Sequence, residues 1–348
     1  MDIKKLIKRC FPATEAMYLF KQSITFKWVE TFIKFKERPD YIDCYRKLIS
    51  RMHDDDIREI EIILDRMDFF YNLRYTKDSR IFEKFIQKYF NRFLYIFNPF
   101  DNDELVRLSQ QNKRLKKIRQ VSSNCFQMDN IKLPVHYFMR SVFFNEDWIK
   151  KIRNQNKIFK KCIIDAGAYV GDSALMLSRL TNQNVYAFEP MQHTYGLMLK
   201  TLDMNETKNI IPVRAALGNK SGKSTFSYIG IMDTGSTEFQ NMNMCSVPYV
   251  NKEEIDIITV DEYVTANNIE IGLIKADVEG YEQKLILGAM NIIKEQKPVL
   301  LISIYHNPED FYFIKPILEE WNLNYTYKIY KPLDYTPLND IYLIAEPI

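Results

Sequence analysis

The 348-residue chain is poor in the residue types that would place it quickly. It has five cysteines (Cys10, Cys44, Cys125, Cys162 and Cys245), scattered and without a Cys-x-x-Cys pair. That argues against a zinc site or a disulfide framework and fits a reducing compartment. No apolar run approaches the ~20 residues that a membrane helix needs. The basic start, Met-Asp-Ile-Lys-Lys-Leu-Ile-Lys-Arg, is not followed by an apolar stretch, so no signal peptide is read. Charge of one sign is also missing. A net +3, with acidic and basic residues interleaved, is too small to argue for nucleic acid. Glycine is almost absent before residue 120. The expectation is a soluble, cytoplasmic protein with no nucleic-acid partner and no membrane span.

What is present divides into two styles. Residues 1 to about 120 carry long mixed-charge and aromatic runs at helical spacing. Ile57, Ile60, Ile63, Leu64 and Met67 form one stripe; Ile81, Phe82, Phe85, Ile86, Tyr89 and Phe93 form another; Asp103 to Val121 reads as a third helix. The lysines and arginines of 113–119 read as the solvated face of that helix. Phe126 to Phe144 suggests short strands or a hairpin, with His136 in a structural role. After residue 160 strands alternate with helices, at 162–165, 185–189, 210–214, 256–260, 272–277, 298–305, 325–330 and 340–346. Such alternation makes a parallel sheet with helices on both faces. The stretch 218–260 is a β-rich insertion, and the last two strands are too closely spaced for a parallel crossover, so they pair antiparallel. The expected architecture is an α/β doubly wound sheet closed by an antiparallel C-terminal hairpin, plus a mainly helical N-terminal region. The boundaries are 1–122 for the helical region, 123–160 for connecting strands and helix, and 161–348 for the core domain. The aromatic helical region is expected to serve as a cap or a homodimer contact.

The most informative stretch is Ile163-Ile-Asp-Ala-Gly-Ala-Tyr-Val-Gly-Asp172, followed by Tyr186-Ala-Phe-Glu-Pro190. A strand ending in a glycine turn, then a second strand ending in a carboxylate, is the footprint of a nucleoside-containing cofactor. Tyr169 would crowd a pyrophosphate against this loop, and Asp165 would repel one. Neither objection applies to S-adenosylmethionine (SAM), which has no phosphate and carries a sulfonium and an ammonium. Glu189 suits the two ribose hydroxyls. These residues favour SAM over NAD. A third strand ends in Lys275-Ala-Asp277-Val-Glu279-Gly-Tyr-Glu282, which puts Asp277 and Glu279 at the crevice edge. For Glu279 and Glu282 the competing reading is simple electrostatic support of a helix N-terminus.

Together with Ala215-Ala216-Leu217-Gly218, these motifs resemble the FkbM family of SAM-dependent methyltransferases, in order and at family-like spacing over about 160–305. The resemblance implies a class I methyltransferase (Rossmann-like) fold and O-methylation of a hydroxyl on a glycan, sugar or small molecule. Carried over by position, Asp165, Gly167, Ala168, Tyr169, Gly171 and Asp172 form the SAM loop. Glu189 and Pro190 hold the ribose side, Ala216 lies at the cofactor, and Asp277 and Glu279 border methyl transfer. Where the family often has a glutamate in the next strand, this chain has Ser303. Methyl transfer to an alcohol needs a proton acceptor. Of the four histidines, His306 at the end of a strand is the choice, with Asp277 or Glu279 as substitutes and His193 nearer the cofactor or solvent. A divalent cation would be compatible with two carboxylates and a histidine, but no spacing requires a metal. The alternatives are a catalytically silent SAM-fold interaction module and an NAD-dependent oxidoreductase.

Overall fold

A computed structural model describes residues 29–75, 102–144, 151–228, 251–334 and 338–348. The aromatic stripe at 81–93 and the centre of the insertion after 218 lie outside the described residues. The chain forms two compact units, Met1–Gln110 with Leu333–Asn339, and Gln111–Pro332 with Asp340–Ile348.

The first unit is helical among its described residues. Helix α1 (Tyr41–Ile49) buries Cys44 and Leu48, and helix α2 (Asp54–Tyr75) buries Ile60, Ile63, Leu64 and Met67. The spacing i, i+3, i+4, i+7 puts those four side chains on one face of α2, as the sequence stripe requires. Each large apolar side chain taken out of water contributes about 1.5–3 kcal/mol. Lys36 pairs with Asp68 at 2.7 Å and Arg66 with Glu104 at 2.8 Å. Helix α3 (Asn102–Leu115) stops well short of the expected Val121. The β-branched Val121 and the tight turn at Ser123-Asn124, with Asn124 at φ 60°, favour strand pairing instead.

The second unit opens with an antiparallel meander, β1 (Arg119–Ser122), β2 (Cys125–Met128) and β3 (Ile131–Leu133). His136 is exposed and stacks edge-on against Phe126 with centroids 5.0 Å apart, in keeping with a structural role. The main sheet follows. In chain order its strands and helices are β4 (Cys162–Ala166), α4 (Asp172–Leu177), β5 (Val185–Phe188), α5 (Gln192–Met204) and β6 (Ile210–Val213). After the insertion come α6 (Val260–Ala266), β10 (Ile271–Ala276), α7 (Glu282–Gly288), α8 (Met290–Gln296), β11 (Val299–Ser303), α9 (Pro308–Glu320), β12 (Tyr325–Tyr330) and β13 (Tyr342–Pro347). Between β6 and β10, the strands β7 (Ala216–Leu217), β8 (Gly222–Tyr228) and β9 (Asn251–Ile258) make a separate small sheet.

The seven main strands run β12-β13-β11-β10-β4-β5-β6. Neighbours from β11 to β6 are parallel, and β13 is antiparallel to both β11 and β12. The doubly wound sheet with an antiparallel C-terminal hairpin is therefore observed. Every residue of β10 and β11 is buried, which is what helices on both faces demand of central strands. Order reverses on either side of β4, so the crevice of such a sheet opens at the C-terminal ends of β4 and β10. Among the described residues no helix is long and apolar enough to cross a membrane.

Candidate functional site

The chain leaves β4 at Ala166 and turns through Gly167, whose φ is 75°. A Cβ on Gly167 would lie 1.8 Å from the carbonyl oxygen of Asp277, so only glycine fits. The Asp277 N–H donates to the Ala166 carbonyl at 3.0 Å, which joins the loop after β4 to the tip of β10 through backbone alone. The N–H groups of Gly167 and Ala168 both donate to the Phe188 carbonyl at the end of β5. Ala168 is fully buried, and Tyr169 holds φ 47°, a left-handed conformation that costs a non-glycine residue about 1–3 kcal/mol.

Glu189 secures that strained turn. Its Oε2 accepts the Tyr169 N–H at 3.1 Å and its Oε1 accepts the Met191 N–H at 3.0 Å. The Thr194 hydroxyl donates to the same carboxylate, which leaves one oxygen with an open acceptor position. Burial pushes the carboxyl up to about 7, against the pull of those two N–H donors and the Thr194 hydroxyl. Pro190 follows, half-buried. His193 lies on the exposed first turn of α5.

Asp165, read from sequence as a carboxylate for the cofactor's cationic end, is instead completely buried beneath the loop. Its Oδ1 lies 3.0 Å from the Lys275 ammonium and its Oδ2 accepts the Ser173 hydroxyl at 2.6 Å. Lys275 also donates to the Gly167 carbonyl at 2.9 Å and approaches that of Ala166 at 3.4 Å. Burial works against this ammonium, but Asp165, Asp277 and Asp172 more than offset it, and its pKa is raised. Asp172, at the start of α4, is also buried. Desolvation lifts its carboxyl to about 6 although its Oδ1 accepts the Ser173 N–H. Gly171, with φ 86°, precedes it, and a Cβ there would press on Met198 of α5. Ala216 sits on the two-residue strand β7, paired with β9 in the small sheet.

The second half of the site follows β10. Glu279 and Gly280 both take positive φ, 55° and 91°. This tight turn lets the Val278 N–H donate to Glu282 Oε1 at 2.8 Å. His306, three residues beyond β11, completes the group. Its Nδ1 is 2.9 Å from Glu282 Oε1, and its Nε2 is 3.4 Å from Asp277 Oδ1 and 3.5 Å from Glu279 Oε2. The structure thus brings together His306, Asp277 and Glu279, and adds Glu282. The Tyr305 ring lies against His306 with centroids 4.1 Å apart. Asn307 caps α9 through Asp310, accepting its N–H at 2.7 Å, while the Asn307 and Gln283 amides donate to the Asp310 carboxyl at 2.6 and 3.0 Å.

Burial disfavours the imidazolium, but Glu282, then Glu279 and Asp277, outweigh it and push His306 up to about 10. In this state His306 does not titrate near neutrality, contrary to what its residue type suggests. Glu282 shows the reciprocal effect: burial raises it, His306 more than reverses this, and its pKa is lowered. Asp310 is pushed up to about 8, first by burial and then by the charge of Glu282. Asp277, Glu282 and His306 each bring a potential ligand atom within 4.8 Å of the others. Their geometry is that of a carboxylate–imidazolium pair, and a divalent cation would have to displace the ring proton. A metal is not needed to account for the cluster.

Lys275, Glu282 and Asp310 were not among the site residues expected from sequence. Lys275 had a readable signal, since a lysine inside an otherwise apolar buried strand must find a partner. Ser303 is fully buried in β11.

A comparison with curated proteins gives no match. Among solved structures, the methyltransferase FkbM from Methylobacillus flagellatus KT is 17% identical, covers 78% of this chain and 72% of its own, and has a TM-score of 0.41. An rRNA methylase from Streptococcus thermophilus is 16% identical over 61% of this chain and 99% of its own, with a TM-score of 0.36. A Streptococcus mutans protein described as a methyltransferase in complex with SAH is 15% identical over 61% and 100%, with a TM-score of 0.35. Residues 165–329, from the buried aspartate of β4 to the penultimate residue of β12, match the methyltransferase FkbM domain. Over that span, just under half of its length, the chain is similar to the methyltransferase FkbM domain.

Proposed function

We propose that the protein transfers a methyl group from SAM to a hydroxyl of a glycan, sugar or small-molecule acceptor. The observation that carries the reading is the backbone junction between Gly167 and Asp277. It sets a nucleoside-type loop directly beside a carboxylate–histidine cluster at the crevice of a doubly wound sheet.

The residues present fit that cofactor. The turn at Gly167 offers bare backbone, and Glu189 keeps an acceptor position for a ribose hydroxyl beside its Tyr169, Met191 and Thr194 donors. The crevice edge is acidic, with Asp277 and Glu279 partly exposed, and Lys275 spends its charge on the buried Asp165. A pyrophosphate would meet repulsion there; a ligand carrying a sulfonium and an ammonium would not. When bound, SAM supplies an electrophilic methyl group.

The protein's own part is positioning and proton handling. Glu189 holds the nucleoside end. Asp277 and Glu279 border the cationic end and accept the hydrogen bond that orients the acceptor hydroxyl, and the Asp277–Glu279–His306 group takes the hydroxyl proton. Alignment of oxygen, methyl and sulfur supplies up to about 7–11 kcal/mol of the barrier. A placed proton acceptor adds about 10²–10⁴-fold. The test is calorimetric titration with SAM, followed by a labelled-methyl screen against sugar nucleotides, glycans and hydroxylated metabolites. Binding of SAM but not NAD, weakened in Glu189→Ala, is expected. Binding of NAD alone, or of neither, would remove the reading.

A further inference from the structure

His306 has a carboxylate at each ring nitrogen: Glu282 at Nδ1, and Asp277 with Glu279 at Nε2. Carboxylate charge at 2.9–3.5 Å from both nitrogens favours a ring carrying both protons. Such a ring cannot take a proton from an alcohol. Yet it is the one histidine at the crevice, and its side chain is only 4% exposed.

The surrounding charges suggest when the proton leaves. Asp277 and Glu279, on the turn after β10, and Glu282, on α7, bring three negative charges to one imidazolium. From α9, Asp310 hydrogen-bonds Glu282; its raised pKa leaves it protonated near neutrality, so it adds little charge. Tyr305 beside the ring stays neutral, its hydroxyl pushed far up by burial and by Asp277, Asp340 and Glu279. Tyr342 is raised the same way by burial, Asp340 and Asp277. Lys275 is turned toward Asp165 and the loop carbonyls. Asp277 is the hinge between the two halves, since its backbone is fixed to the glycine loop and its carboxylate faces His306 Nε2.

We propose that the Nε2 proton of His306 and the sulfonium of SAM compete for the carboxylates of Asp277 and Glu279, so that His306 becomes a proton acceptor only while the methyl donor is bound. This deepens the SAM reading above and rests on it. The charge then balances through the reaction. With the sulfonium beside the carboxylates, a shift of about 1–3 units brings His306 from about 10 to about 7–9, so the Nε2 proton is lost to solvent on the alkaline side of neutrality. As the acceptor oxygen forms its bond to the methyl carbon, the S–CH3 electron pair stays on sulfur and the hydroxyl proton passes to Nε2. One positive charge moves from sulfur to imidazole. Asp277 and Glu279 thus face one cation before and after transfer, and His306 ends in the protonation state of the free protein.

SAH keeps the ammonium of SAM and lacks only the sulfonium charge, so it is the control. The full chain, labelled with 15N in its four histidines, is titrated with pH by NMR alone, with SAM and with SAH. His306 in the SAM complex should titrate about 1–3 units below its value in the SAH complex, the size expected of one close charge. The signal is assigned by His306→Gln. If that variant does not fold, substitutions at the exposed His53, His136 and His193 identify it by elimination. Binding of both ligands with the same His306 pKa overturns this inference and leaves the cofactor reading standing. Failure of both ligands to bind overturns the two together.

Discussion

Replacing Lys275 by methionine should unfold much of what organises the cofactor loop. The substitution keeps the length of the side chain and removes only the ammonium. Asp165, completely buried, then loses the cation 3.0 Å away, and the Gly167 carbonyl loses its 2.9 Å donor. Breaking one side of a buried pair costs about 3–5 kcal/mol because the other charge stays behind. Against a total stability of about 5–15 kcal/mol that is a large share. With a urea dependence of about 1–3 kcal/mol per molar, the midpoint should fall by at least about 1 M. Asp165→Asn with Lys275→Met keeps an acceptor for the Ser173 hydroxyl and removes both charges. The double variant should therefore recover more than half of the loss. The assay is urea denaturation followed by circular dichroism, run as a double-mutant cycle. A single variant within about 0.5 kcal/mol of the parent, or a double variant no better than the single, would refute the reasoning. The first result would mean that water reaches Asp165, and the second that Lys275 acts through its hydrogen bonds to the loop carbonyls rather than through Asp165.

Three further outcomes follow from the same geometry. Glu189, raised to about 7 by burial, is more protonated folded than unfolded. Its contribution to the stability of the free protein should therefore decline as pH rises from the ordinary carboxylate range through about 7. SAM affinity should strengthen over that same interval as the carboxylate forms, and a titration series in which Glu189→Gln shows the same pH slope as the parent would contradict this. Gly167→Ala places a Cβ 1.8 Å from the Asp277 carbonyl at a positive φ, so it should abolish SAM binding and lower the melting temperature. By contrast Gly196, inside α5 with open space around it, should gain about 1 kcal/mol of stability on replacement by alanine. Thermal denaturation of the two alanine variants side by side separates a backbone junction from an ordinary helical glycine.

The strands and the doubly wound arrangement were legible because such a core writes buried strands as short apolar runs between helical patterns, whereas the strand order was not. The antiparallel end was legible from a connection too short to cross over. Read from sequence, helix α3 runs too far because Ile118 continues the apolar face of Leu108 and Leu115, with lysines between. What stops the helix is the pairing of 119–122 with residues 125–127, which outweighs that pattern once the Ser123-Asn124 turn forms. Glu282 was visible, but its partner was 24 residues away in sequence and became a neighbour only through the parallel pairing of β10 with β11. Lys275 shows the limit most clearly. In the pairing of β10 with β4 it stands directly opposite Asp165, so two charges that look unrelated in sequence form one buried pair. With Asp165 read alone, its carboxylate was assigned to a ligand; with the strand register in hand, its partner is the protein itself.

The position of β13 has a consequence for how the molecule is made. It is the last strand of the sheet to leave the ribosome, yet it lies inside the sheet, hydrogen-bonded to β11 on one side and β12 on the other. Its Glu346 accepts the N–H groups of Arg153 and Asn154, residues synthesised nearly two hundred positions earlier. Until that strand emerges, β11 and β12 each present an open edge, and an open edge invites pairing with another chain. A chain in which β13 has not yet docked therefore holds the crevice at the ends of β4 and β10 on an unfinished sheet with two open edges.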